Sequence, residues 1–276
     1  MKKLKRSSRL VEMTQYLLCR PHTLISLTAF AERYQSAKSS ISEDLAIIKE
    51  VFEEEGIGEL HTLAGAAGGV KYIPLMDNSS ALAIIKNTCA ELEQPDRVLP
   101  GGYLYMTDML GQPDLLADLG KMFATAFAKR KIDVIMTVET KGIPLAYATA
   151  ACLNLPVVIV RRDNKVTEGP AVSINYVSGS TKRIQTMSLA RRALKEHSHV
   201  LIIDDFMKAG GTIQGMMDLL YEFKATVAGV GVLVESGEVE LEERLLEDYV
   251  TLAKVTAVDM KTKQTTVVPG NYFNEL

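Results

Sequence analysis

The stretch from His199 to Thr212, HVLIIDDFMKAGGT, limits the possible folds of this chain more than any other. Val200, Leu201, Ile202 and Ile203 form an apolar run of the kind buried on both faces of a parallel sheet. Asp204 and Asp205 stand at the C-terminal end of that run, and a Gly210-Gly211-Thr212 turn opens a helical pattern at Ile213. Backbone N–H groups of a glycine turn at a helix N-terminus can cradle a phosphate. Paired carboxylates beside such a turn can accept hydrogen bonds from vicinal hydroxyls, so the stretch suits a sugar phosphate. An Asp-Asp pair standing alone has a plainer reading, a strand-end acid that caps the next helix.

The surrounding chain alternates helix and strand. A helix is expected from about Pro113 to Lys129, a strand at IDVIMTV, a helix at GIPLAYATAACLNL and a strand at PVVIVRR. The Val200 strand, a helix from Thr212 to Phe223 and a strand at VAGVGVLV follow. This is the pattern of an α/β domain, a parallel sheet with helices on both faces, whose ligands sit at the C-terminal strand edges. Two phosphate fingerprints are excluded: no GxxxxGK[ST] occurs, and Gly229 and Gly231 lie inside a strand pattern with Val234 where a third glycine would be needed.

The first seventy-odd residues follow another rule. Helical spacing runs from Ser8 to Leu18, from Leu27 to Tyr34 and from about Ser36 to Glu55, and GELHTL and VKYIPL then read as strands around an AGAAGG turn. Three helices and a glycine-tipped hairpin make the order of a winged helix-turn-helix, with a small helical dimerisation or cap domain as the alternative. Residues 1–74 form this unit and residues 75–276 the α/β domain. Candidate DNA-binding residues are Lys2, Lys3, Lys5 and Arg6 in the basic start, Lys38, Ser39 and Ser40 at the start of the third helix, and Gly68, Gly69 and Lys71 in the wing. Residues 1–73 carry ten Lys/Arg against nine Asp/Glu, so phosphate affinity must come from placement rather than bulk charge.

A formal net charge of −3 leaves no global bias toward nucleic acid. No apolar stretch approaches the length of a membrane span and no signal-peptide pattern appears, so a cytoplasmic protein without a membrane partner is expected. Cys19, Cys89 and Cys152 are isolated from one another and read as core thiols, and the four His residues show no zinc-ligand spacing. Two further features remain open. The polar stretch from Arg161 to Leu189 is either a mobile hairpin over the site, offering Arg161, Tyr176 and Ser178, or a dimer arm. Tyr103 either stacks on a base or packs at the domain entrance.

The HVLIIDDFMKAGGT string resembles the phosphoribosyltransferase signature for phosphoribosyl pyrophosphate (PRPP). The resemblance implies that Asp204 and Asp205 hold the ribose hydroxyls, and that Lys208, Ala209, Gly210, Gly211 and Thr212 hold the 5-phosphate. Ala209 departs from the family, many of whose members carry Thr there. Thr140, Lys141 and Gly142, after the IDVIMTV strand, are similar to the family's short pyrophosphate loop, although a strand-to-helix TKG alone is an ordinary turn. Phe206 and Tyr103 are the candidates for stacking on a base. Magnesium is implied as a companion of the pyrophosphate, with no covalent cofactor and no dedicated metal site.

Over nearly its whole length, in SAKSSISEDLAIIKE, GAAGGVKYIP, VETKGIPLA and VLIIDDFMKAGGT, the chain resembles the purine operon repressors of Gram-positive bacteria. That implies a homodimeric, non-catalytic repressor of purine biosynthesis and transport genes that binds double-stranded operator DNA and is released by PRPP. Other pyrophosphate-bearing nucleotides, such as guanosine alarmones, are candidate competitors. The alternatives are an active purine phosphoribosyltransferase with an appended domain and an RNA-binding regulator.

Overall fold

The computed structural model describes residues 4–65, 68–100, 103–163, 169–177, 183–237 and 245–274. The chain divides into two compact units, the first of residues 1–77 with 151–154 and the second of residues 78–150 with 155–276.

In the first unit, α1 (Arg6–Leu18) is followed by α2 (Leu27–Tyr34), α3 (Lys38–Glu54), β1 (Glu59–Leu63) and β2 (Gly69–Ile73). The Ser26 side chain caps α2 by accepting from the Ala29 N–H at 3.1 Å, and Gln35 ends the helix in the left-handed conformation. Ile41, Leu45, Ile48 and Phe52 recur on one face of α3 and are buried against Met13 and Leu17 of α1 and Phe30 and Tyr34 of α2. The β1–β2 hairpin is antiparallel, and Ile25 bridges to Val70 beside it, giving the winged helix-turn-helix order. Helix α1 begins two residues before the Ser8 expected from spacing, which places Arg6 on the helix.

The second unit comprises α4 (Asn78–Leu92), the short pair β3 (Val98–Leu99) and β4 (Tyr103–Leu104), α5 (Pro113–Ala126), β5 (Val134–Val138), α6 (Gly142–Leu153) and β6 (Val157–Val160). A hairpin of β7 (Ala171–Val177) and β8 (Ile184–Ala190) follows, then β9 (His199–Met207), α7 (Gly211–Glu222), β10 (Thr226–Ser236), β11 (Val250–Asp259) and β12 (Gln264–Pro269). The main sheet has the order β12-β11-β10-β9-β5-β6, with β6 to β11 parallel and β12 antiparallel at the edge. The strand carrying Asp204 and Asp205 is therefore central.

Alternation along β9 sends Val200 and Ile202 into the core with Ile213, Met216 and Leu220 of α7. Leu201 and Ile203 point to the other face, toward α5. There Gly229 and Gly231 of β10 make room: a Cβ at either would press on the ring of Phe127 or Phe123. These glycines, which lack the spacing of a dinucleotide motif, serve close packing of helix on sheet.

Candidate functional site

The C-terminal edges of β5 and β9 and the N-terminus of α7 enclose a cavity of about 430 Å³. Asp204, Asp205 and Phe206 reach it from the end of β9, and Lys208, Ala209, Gly210, Gly211 and Thr212 from the turn into α7. Thr140 and Lys141 line it from the β5–α6 loop and Tyr103 from β4. Residues far apart in sequence are thus brought to one space by the parallel sheet, as expected of a strand edge.

The phosphate turn is built by backbone conformation. Gly210, the residue before α7, has φ +87, and its carbonyl accepts the Gln214 N–H at 2.8 Å. This aims the first-turn N–H groups of α7, with the positive end of the helix dipole, into the cavity that Gly211, Thr212 and Ile213 line. The turn is also supported from behind. The Leu245 N–H donates to the Ala209 carbonyl at 3.1 Å, and the Leu246 side chain packs on Gly210, where an added Cβ would lie 2.8 Å from its Cδ1. Nothing near HVLIIDDFMKAGGT announces this support, because it comes from beyond β10.

Asp204 is buried and Asp205 half-buried; the Asp205 N–H donates to Asp204 Oδ1 at 3.0 Å. Burial first, and then the neighbouring Asp205 carboxyl, pushes Asp204 well above the usual carboxylate range. Asp205 is raised as well, chiefly by burial, against the opposing pull of its hydrogen bond to Asp204 and the charge of Lys141. Such a pair gains most from a partner that supplies donors or positive charge. Gly142 does not line the cavity but lies under it, with its Cα against Asp204 and Thr137. The rings of Tyr103 and Phe206, both in the cavity lining, touch each other in a tilted pair with centroids 6.1 Å apart at 51°.

Two of the expected ligand contacts change. Arg161 is absent from the cavity lining: its guanidinium donates to Glu139 Oε2 at 3.3 Å, and its backbone is bridged to Ser188 of β8. Arg162, the next residue, lines the cavity instead, with its N–H held by Glu139 Oε1 at 2.7 Å. Tyr176 is buried, with its hydroxyl donating to Gln185 at 2.7 Å and its ring against α7 at Gly215. Ser178 lies outside the described residues. The β7–β8 hairpin read from the alternating sequence is present, fixed to α7 through Tyr176.

Of the candidate DNA-binding residues, Lys5, Lys38 and Ser39 are exposed, and Ser40 and Lys71 half-buried. Ala37 precedes α3 without a side-chain cap, so the first N–H groups of α3 stand beside Lys38 and Ser39, an arrangement suited to phosphate. Arg6 is engaged elsewhere: it donates to Asp44 at 3.0 Å and lies 3.7 Å from Glu43, both on α3. Gly69 is buried rather than at the hairpin tip, with its Cα against the Ile25 carbonyl. Gly68 is half-buried before it, and Lys2 and Lys3 lie outside the described residues.

Comparison with known proteins gives these two units a family. Residues 5–74 match the model for the bacterial purine repressor N-terminal domain, and residues 106–265 match the phosphoribosyl transferase domain. The chain is 61% identical over 271 residues, 98% of itself and 94% of the relative, to the purine biosynthesis transcriptional repressor PurR of Bacillus subtilis. It is 43% identical over 272 residues, 99% of itself and the whole of the relative, to the purine biosynthesis transcriptional activator PurR of Lactococcus lactis. Among solved structures, the adenine phosphoribosyltransferase of Rhodothermus marinus matches 63% of this chain and 97% of its own at a TM-score of 0.52 and 24% identity, a likeness of fold. With a winged helix at one end and a phosphoribosyltransferase cavity at the other, the chain belongs to the purine biosynthesis transcriptional regulators of Gram-positive bacteria.

Proposed function

We propose that this regulator represses purine biosynthesis and transport genes as a cytoplasmic homodimer on double-stranded operator DNA, and that PRPP bound at the β9–α7 cavity releases it. The observation that carries the reading is the joining in one cavity of two carboxylates, a helix-N-terminal phosphate turn and Lys141. Ribose hydroxyls, the 5-phosphate and the pyrophosphate each have a partner of the right chemistry there. Asp204 and Asp205 accept from the ribose hydroxyls, the turn from Lys208 to Thr212 donates to the 5-phosphate, and Lys141 with Arg162 faces the pyrophosphate. Magnesium would travel with the pyrophosphate and neutralise its charge.

PRPP can relieve repression only through a higher affinity for the DNA-free state, and by linkage operator DNA weakens PRPP binding by the same factor. The direction is taken from the 61% identical repressor, since the Lactococcus relative is named an activator. Fluorescence anisotropy of operator DNA, with and without PRPP and magnesium, tests it. Wild type should lose affinity as PRPP rises, and Asp204→Ala should bind DNA and ignore PRPP. Operator affinity indifferent to PRPP in wild type sinks the inducer reading.

The two aromatic rings in the cavity lining, Tyr103 and Phe206, favour a second reading. A planar base against the cavity-facing side of this aromatic pair would let the cavity take a purine beside PRPP and act as a transferase, or let a guanosine alarmone compete with PRPP. Conversion of labelled purine base by the purified chain separates transferase from sensor, and displacement of PRPP by alarmone tests the competition.

A further inference from the structure

Thr137 stands one residue from the end of β5, with 0% of its surface exposed, and among the described residues its Oγ1 has no hydrogen-bond partner. A buried hydroxyl in that condition lowers stability relative to a methyl group in the same space. Its surroundings give it a direction. A Cβ built on Gly142 would collide with Thr137 Oγ1 on one side and lie 2.9 Å from Asp204 Oδ1 on the other. The hydroxyl and the carboxylate therefore face the same small space over Gly142 Cα, open only because the residue there is glycine. Asp204 lines the ligand cavity and Thr137 does not. Oδ1 accepts one hydrogen bond, from the Asp205 N–H, and a carboxylate oxygen has a second lone pair to fill.

We propose that Thr137 is a positioning residue of the ribose site: when a ribose phosphate engages Asp204, the Thr137 hydroxyl donates to Oδ1 and holds the carboxylate toward the vicinal hydroxyls. The inference rests on the assignment of Asp204 to the ribose given above. Thr137 touches no ligand atom and acts through Asp204 alone. Its hydroxyl is a burden in the free protein and a partner in the liganded one, so removing it has opposite effects on the two states. A threonine that only fills space would show the first effect but leave PRPP affinity unchanged.

The test is calorimetric titration of the full chain with PRPP and, separately, with inorganic pyrophosphate, both with magnesium. It is run on wild type, Thr137→Val and Thr137→Ser, beside thermal unfolding without ligand. Thr137→Val should melt no lower than wild type, bind PRPP about tenfold more weakly and bind pyrophosphate unchanged, as the loss of one hydrogen bond to a charged acceptor requires. Thr137→Ser should restore PRPP affinity. Unchanged PRPP binding by Thr137→Val, an equal loss for pyrophosphate, or a markedly lower melting temperature overturns the inference. Wild type that binds pyrophosphate but not PRPP overturns the ribose assignment, and this inference with it.

Discussion

Asp44 of α3 accepts the Arg9 Nε of α1 at 2.5 Å, with side chains only 0% and 9% exposed, so α1 and α3 of the DNA-binding unit are joined by a buried ion pair. Arg9 also donates to Ser36 Oγ at 3.1 Å, just before α3 begins. Removing one partner strands the other charge in the core, which costs about 3–5 kcal/mol. Asp44→Ala should therefore speed hydrogen exchange of α1 and α3 amides and abolish operator binding, while PRPP titration of the other unit stays as in wild type.

Asp204→Asn should stabilise the protein near neutral pH. Below the ordinary carboxylate range, folded and unfolded chains both hold the proton and the carboxyl is neutral in each. As pH rises through that range the unfolded chain loses the proton while buried Asp204, held well above it, keeps its own, so wild type loses stability until the folded group titrates. Asparagine has no such loss. Urea unfolding at pH 3.5 and pH 7 should show the variant's advantage appear only at the higher value.

Arg162 and Arg161 should separate cleanly. Arg162→Ala removes a cavity cation and should weaken PRPP about tenfold, on the scale of a hydrogen bond between charged groups. Arg161→Ala removes the guanidinium bond to Glu139 Oε2 but keeps the backbone bridge to Ser188, and should leave PRPP affinity near that of wild type while raising amide exchange locally around residue 161. Parallel titration and hydrogen-exchange measurements distinguish the two.

Gly210→Ala should damage the phosphate turn twice over. A left-handed conformation costs a residue with a Cβ about 1–2 kcal/mol, and that Cβ would press on Leu246 Cδ1. Loss of PRPP response with operator binding retained, read by anisotropy, is the expected phenotype.

Sequence alone carried the site as far as its chemistry is local. In HVLIIDDFMKAGGT, strand, acids and turn are contiguous, so burial pattern and ligand chemistry point to the same residues. Arg161 and Arg162 could not be told apart in this way. Which of them faces the cavity depends on the bridge between Arg161 and Ser188, a pairing across 27 residues that no local period encodes. Arg6 looked free because the acid that engages it, Asp44, is 38 residues away on another helix. Strands β11 and β12 escaped because Thr, Lys and Gln alternate with Val and Leu along them, which blurs the apolar run that marked β9. The wing glycines were visible, but their tasks were not: Gly69 belongs to the packing against Ile25.

The support of Ala209 and Gly210 by Leu245 and Leu246 has a consequence for biosynthesis of the protein. The ribosome completes β9 and the turn some thirty residues before it makes the segment that steadies them. A nascent chain arrested before Leu245 would carry the whole signature string and still lack the rigid turn, whereas the DNA-binding unit at the other end is already complete. The cavity at the end of β9 is thus completed late in synthesis, well after the N-terminal unit has all of its residues.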